Sequence, residues 1–186
     1  RYGPTVAVPR ILETYRRLGI KQSFFVPGWC IETYPDAVEA ILRGGHEIGH
    51  HGYLHEDPID GLDQRAWFEK ALEAHHKYCG GTPSGYRAPV YNINQEVVDL
   101  LVEHGFRYDS SMMADDIPYR LETKKGGLWE MPVHWGTDDW PPFAHYSEIG
   151  YMMPVAGPST GLSGFWEEFD AAYEAVSYTH LRAHET

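Results

Sequence analysis

The sequence predicts an α/β fold, a mostly parallel sheet with helices outside it, either open or closed into a barrel. Three observations carry this. Helical and strand-like apolar patterns alternate several times along the 186 residues. The connections between them are short and marked by glycine, as in units where each strand is followed by a helix. The third observation concerns polar side chains, which fall just past the proposed strands, where the chemistry of parallel α/β sheets sits. No linker, low-complexity segment or internal repeat interrupts the pattern, so one domain is expected.

The elements follow in order. Residues 5–18 place Val6, Val8, Ile11, Leu12, Tyr15 and Leu18 near helical spacing, with Pro9 early and Gly19 after. Ser23-Phe24-Phe25-Val26 reads as a buried strand closed by Pro27-Gly28. A helix over residues 35–43 carries Ala37, Val38, Ile41 and Leu42 and stops at Gly44-Gly45, and the strand leading into His50 follows. Asp63 is the candidate N-cap of a longer helix reaching Cys79, with Gly80-Gly81 at its end. Gly85-Tyr86-Arg87 forms a short strand before a loop. Asn94 caps a helix with Val97, Val98, Leu101 and Val102, ended by Gly105. A short strand from Phe106 finishes at Asp109, another is expected over 128–133, and a helix over 164–175 carries Phe165, Phe169 and Tyr173.

Composition bounds the function. A hydrophobic fraction of 42% is that of an ordinary globular domain, not of a disordered chain or a disulfide scaffold. The net charge of −12 argues against nucleic acid as the main partner, because phosphate binding wants a basic face. Cys30 and Cys79 have no metal or redox spacing and read as two reduced thiols. No apolar run approaches the length of about 20 residues that a membrane span needs. The chain opens at Arg1 as if in mid-domain, so missing targeting signals carry no weight and the compartment stays open, with the cytoplasm favoured. The stretch from Val176 to Thr186 resembles the translation of a sequencing adapter. It is expected to be a non-native tail, although its His180 and His184 repeat the i, i+4 spacing discussed next.

That spacing belongs to the densest chemistry in the chain. Gly45-His46-Glu47-Ile48-Gly49-His50-His51-Gly52-Tyr53-Leu54-His55 holds four of the eleven histidines. Histidine is the commonest metal ligand. His51 and His55, four apart, can meet one ion across a tight loop; Gly-Tyr-Leu between them lacks the glutamate of the H-E-x-x-H protease helix. A hydrolytic zinc site has three protein ligands and an open position. Asp57, Asp109, Asp138, Asp139 and His134 all remain candidates for the third. The competing reading, that His51 and His55 only hydrogen-bond a turn, is less favoured because the histidines cluster. His75-His76 and His104 fall on predicted helices as surface or satisfied residues.

Arg87, in Gly-Tyr-Arg-Ala-Pro-Val-Tyr, ends a strand and is suited to pairing with a carboxylate and orienting it. His134-Trp135-Gly136-Thr137-Asp138-Asp139-Trp140-Pro141-Pro142-Phe143 has no periodicity and reads either as a rigid pocket wall or as an aromatic patch over the end of the domain.

Together these stretches resemble the polysaccharide deacetylase (NodB-like) family of carbohydrate esterases, in the branch with peptidoglycan-deacetylase-like proteins, cyclic-imide hydrolases and allantoinase-type enzymes. The resemblance is carried by Tyr2-Gly3-Pro4, by Gly19-Ile20-Lys21 with Phe24 to Gly28, and by Gly45 through His55. It continues in Gly85-Tyr86-Arg87-Ala88-Pro89, Tyr108-Asp109-Ser110-Ser111, Pro132-Val133-His134-Trp135 and Asp139-Trp140. It implies an irregular β/α barrel, here truncated at both ends, with residues 1–175 a partial domain and 176–186 the tail. It also implies that His51 and His55 are metal ligands, for a divalent ion with zinc first. Arg87 would orient the catalytic base, and Asp139 would partner that arginine. Tyr91, Trp135 and Trp140 would bind substrate. The oxyanion donor would come from the loop after Arg87, where Val90 holds the position usual for tyrosine and Tyr91 follows. The third ligand and general base would lie before Arg1, and the general acid, a late histidine, past Ala175.

The implied function is metal-dependent hydrolysis of non-peptide C–N bonds, either deacetylation of an N-acetylated sugar or opening of a cyclic imide. The partner would be a glycan or small-molecule substrate, with neither nucleic acid nor membrane, and with room for a homo-oligomer. This piece alone is expected to be inactive. The alternative is a non-catalytic carbohydrate- or metal-binding module on the same fold.

Overall fold

The predicted alternation is present, and its strands pair in parallel. The computed structural model describes residues 2–57, 61–146, 150 and 155–175; the adapter-like tail lies outside them. These residues divide between two compact units, one built from Arg1–Ser111 and Arg120–Glu130, the other from Met112–Tyr119 and Met131–Glu185.

The first unit carries the sheet. A π-type helical turn at Gly3–Ala7 runs into α1 (Val8–Leu18), and β1 (Ser23–Val26), α2 (Gly28–Thr33), α3 (Pro35–Arg43) and β2 (Glu47–His50) follow. Then come α4 (Gln64–Tyr78), β3 (Gly85–Tyr86), α5 (Gln95–Glu103), β4 (Tyr108–Asp109), β5 (Tyr119–Thr123) and β6 (Gly126–Glu130). The spatial order is β1-β2-β3-β4-β6-β5, with β1, β2, β3, β4 and β6 parallel. Among the described residues the sheet is open, edged by β1 and β5. Both predicted caps form: Asp63 accepts from Ala66 N at 3.0 Å and Asn94 from Val97 N at 3.1 Å. Each is worth about 1 kcal/mol of helix stability.

The core over β1 and β2 is Ile31, Val38, Ile41, Ile48 and Ala74, flanked by Val8, Leu12, Phe24 and Val26. Alternation along the strands sends Ile48 and His50 toward the helices and Gly49 to the opposite face. There Gly49 and Gly85 lie side by side. A Cβ at Gly49 would sit 2.6 Å from the Phe25 ring, and one at Gly85 would sit 2.1 Å from the Tyr108 ring. The missing side chains let those two rings lie over the sheet, edge to face at 6.4 Å.

Three elements of this unit depart from the sequence reading. Pro27-Gly28 is not only a turn, because it opens α2, which packs on α4 with a Gly28 Cβ position 2.9 Å from Ala71 Cα. The strand expected at 128–133 is Gly126–Glu130 instead, the return arm of a hairpin whose first arm, β5, was not foreseen. The two arms are joined through Lys124-Lys125, where Lys125 N donates to Thr123 Oγ1 at 3.1 Å.

In the second unit a 3₁₀ turn at Trp135–Thr137 precedes α6 (Trp140–Phe143), and α7 runs from Pro158 to Glu174. The last helix begins six residues before its predicted start because Pro158 at the first helical position is favourable there. Gly161 lets it approach α6: a Cβ would lie 2.1 Å from the Phe143 ring. No helix among the described residues is long and apolar enough to cross a membrane.

Candidate functional site

Register places the site. One row across the sheet reads Val26, His50, Tyr86, Asp109, Glu130, each the partner of the next. The following positions at the carboxyl end of the sheet therefore include His51, Arg87 and Ser110. These share the face of Gly49 and Gly85, above the Phe25 ring.

His51 and Arg87 are both buried. His51 Nδ1 lies 2.7 Å from the Arg87 carbonyl oxygen. A carbonyl only accepts, so Nδ1 carries the proton and Nε2 the lone pair. This is the tautomer in which metal-binding histidines are held by their surroundings. The His55 ring is 4.9 Å away, centroid to centroid, at 70°. His51 is inside and His55 is exposed, so the pair bridges interior and surface. Their type and spacing, with the tautomer of His51, fit two ligands of a divalent ion. Among the described residues, no group of three or more His, Cys, Asp or Glu side chains could hold one.

The neighbouring histidines are engaged elsewhere. His50 donates from Nε2 to the Phe68 carbonyl at 3.1 Å and accepts at Nδ1 from Gly52 N at 3.3 Å. Burial, then the nearby His75, pushes its pKa well down, so it stays neutral. His46 accepts from Gln22 N at 3.2 Å.

Arg87 donates through Nε to the Ser110 carbonyl at 2.9 Å and through Nη2 to Ser110 Oγ at 2.7 Å. Its guanidinium stacks 4.4 Å above the Phe25 ring. Behind it, Ser111 Oγ accepts from Ala88 N at 2.8 Å and donates to Asp109 Oδ1 at 2.7 Å. Ser111 N donates to Glu130 Oε1 at 3.0 Å. Asp109 and Glu130 are wholly buried and are register partners across β4 and β6. Burial raises the Asp109 pKa, against the lowering pull of Glu130, Ser111 and the Arg87 charge. Asp109, one of the acids open as a third ligand, instead holds the loop after Arg87 through Ser111. Ser110 and Ser111 figure in the sequence only as part of a stretch that carries the resemblance, with no role of their own, and Glu130 not at all.

That loop is strained. Val90 and Tyr91 have φ of 49° and 59°. Left-handed backbone at a β-branched residue is a true outlier, of the kind that collects at functional sites. Tyr91 N donates to the Ala88 carbonyl at 3.0 Å, and Asn92 Nδ2 reaches Asp57 Oδ1 at 2.5 Å, tying this loop to the one bearing His55.

The remaining expected residues lie in the second unit. Trp135 is exposed and Trp140 half-buried. Asp138 is buried and accepts from Trp140 N at 2.8 Å, while its neighbour Asp139, the residue the resemblance singled out, is half-buried. His134 is exposed, with Nδ1 accepting from Gly136 N at 3.1 Å and lying 3.5 Å from Glu168.

A parallel α/β sheet with paired histidines and a buried arginine at its carboxyl end defines a class of enzyme-like folds in which loops carry the chemistry. Comparison narrows the class. The Polysaccharide deacetylase family profile matches residues 2–108, and the chain belongs to that family. The peptidoglycan deacetylase of Helicobacter pylori is 30% identical over 93% of this chain and 68% of its own length. A Mycobacterium smegmatis structure assigned as a polysaccharide deacetylase superposes with a TM-score of 0.88 at 36% identity, covering 94% of this chain and 62% of that one. Puue allantoinase, at 23% identity, shares the fold with a TM-score of 0.79 over 94% of this chain and 56% of its own. The α/β fold expected from the sequence is thus that of the polysaccharide deacetylases.

Proposed function

We propose that the protein containing this chain is a divalent-metal-dependent hydrolase that removes acetyl groups from N-acetylated sugars of a glycan such as peptidoglycan. In this reading residues 1–175 form part of one deacetylase domain. The observation that carries it is the His51 Nδ1 bond to the Arg87 carbonyl beside the His55 ring. Family membership and the Helicobacter pylori relative support the substrate class.

His51 and His55 would hold the metal, zinc first, which when bound would polarise water and the scissile carbonyl. Arg87 fixes the His51 ring through its own carbonyl, and Ser110 and Phe25 fix Arg87. The Tyr91 N–H is already bonded to Ala88, so in the strained loop the Val90 N–H is the candidate oxyanion donor. Tyr91, Trp135 and Trp140 supply flat apolar faces suited to a sugar ring. By the resemblance, Asp139 is proposed as a catalytic carboxylate.

The test uses the intact protein loaded with zinc. Acetate release from N-acetylated glycan is expected, with His51→Ala losing both zinc binding and turnover. Opening of a cyclic imide without acetate release would move the substrate class. Zinc binding with no turnover of either substrate would identify a binding module. Full activity in the metal-stripped variant would overturn the metal role.

A further inference from the structure

The loop joining the two histidines is wrapped around one carboxylate. Glu56, directly after His55, folds back so that Tyr53 N donates to its Oε1 and Oε2 at 2.9 and 3.0 Å, and Leu54 N to Oε2 at 2.6 Å. Successive N–H groups converging on one anion form a backbone nest, here filled by the chain's own side chain. Gly52 permits it, for its φ is 68° and a Cβ there would lie 2.8 Å from Glu56 Oε1. The outer side of the loop is held independently. Gly28 N and Trp29 N donate to the Gly52 and Tyr53 carbonyls at 2.9 Å each, and Tyr53 Oη donates to Glu32 at 2.7 Å.

What these outer contacts leave unset is His55, whose φ is 63°. A non-glycine residue in that conformation costs on the order of 1–3 kcal/mol and persists only where its surroundings impose it. The carboxylate bonds close the turn on both sides of His55, since the acceptor is residue 56 and the donors are residues 53 and 54. Hydrogen bonds from backbone N–H to an ionised carboxylate are among the stronger ones.

We propose that Glu56 is a positioning residue for the histidine pair: its carboxylate, gripped by the Tyr53 and Leu54 N–H groups, holds His55 in its left-handed turn and so sets the spacing of two metal ligands. The inference rests on the metal reading above. Glu56 itself acts on the loop from within and is not a ligand.

Cobalt(II) titration of the intact protein containing this chain, followed by visible absorption, tests it. Binding is measured at 10 °C, where circular dichroism establishes that each variant is folded. Glu56→Ala is expected to weaken cobalt affinity about tenfold, the size typical for loss of a group that orients a ligand. Glu56→Gln, which keeps one acceptor oxygen, falls between that and the wild type. A merely structural role would lower the melting temperature and leave the affinity of the folded chain unchanged; that result overturns the proposal. If Glu56→Ala does not fold, Glu56→Gln decides by the same comparison. If the intact wild-type protein and its His51→Ala variant respond to cobalt alike, the metal reading falls and this inference with it. Wild-type binding lost in His51→Ala but kept in both Glu56 variants overturns only the role of Glu56.

Discussion

His50 and His51 are adjacent, fully buried and chemically identical, yet β2 turns them to opposite faces of the sheet. His50 enters the helix layer, with its ring 4.4 Å from Phe68, 5.3 Å from Tyr86 and stacked 5.6 Å from His75. Its bond to the Phe68 carbonyl ties the sheet to α4. His51 enters the strand-end loops, and its bond to the Arg87 carbonyl ties two of those loops together. Burial therefore does not tell a histidine that packs under a helix from one proposed as a metal ligand. What distinguishes them is which element owns the hydrogen-bond partner.

The largest expected effect breaks the His51 side. Arg87→Ala removes a buried cation that bonds Ser110 and covers Phe25, and should cost about 3–5 kcal/mol in urea denaturation. Arg87→Lys should recover little, lacking the planar fork. A loss within the scatter of surface substitutions would mean the strand-end loops do not depend on Arg87. The His50 side is probed by pH. Burial lowers the His75 pKa from 6.5 to about 4, and neither of its nitrogens has a hydrogen-bond partner among the described residues. Above pH 6.5 this residue is neutral in both states. Between 6.5 and 4 the unfolded chain takes up a proton that the folded chain refuses, so stability falls with pH, by up to about 3 kcal/mol. His75→Leu should flatten that fall and add about 1 kcal/mol at pH 7, by removing polar atoms buried without partners. An unchanged slope between pH 7.5 and 5 would assign the acid sensitivity to other groups. The smallest effect sharpens the contrast between strained loops and the relaxed core. Val90→Asn suits the left-handed backbone better and should raise stability by about 1 kcal/mol. Thermal melting checks this, and a lower melting temperature would show that the valine side chain supports the loop.

Elements with their own local signal were legible in the sequence. The caps Asp63 and Asn94 and the apolar run of β1 announced α4, α5 and the first strand. Three kinds of element were not. At six residues, α2 is too short to show a helical period, and Pro27-Gly28 is also a turn signal. Tyr119–Thr123 alternates half-buried and exposed residues, and its hairpin turns through Lys124-Lys125, with a glycine signal only where the second arm begins, at Gly126. The start of α7, Pro-Ser-Thr-Gly, has a loop-like composition. Within the site, the histidine pair stood out because its residues are close in sequence. The Arg87–Ser110 and Ser111–Ala88 bonds join parallel strands 23 positions apart, a register that periodicity does not encode. Glu56 was hidden differently. It borders the motif, but a sequence shows an acid there and not the N–H groups that hold it.

The bare patch at Gly49 and Gly85 has a consequence for anyone reshaping this protein by directed evolution. A side chain at either position must displace the Phe25 or Tyr108 ring, and Phe25 carries the Arg87 guanidinium 4.4 Å above it. Mutations on this floor would reach the histidine pair through two layers of packing, with no change to any residue a screen would call active. Libraries aimed at new substrates should hold positions 25, 49, 85 and 108 constant. Diversity belongs in Leu54 and Val90, whose side chains are exposed beside the same loops.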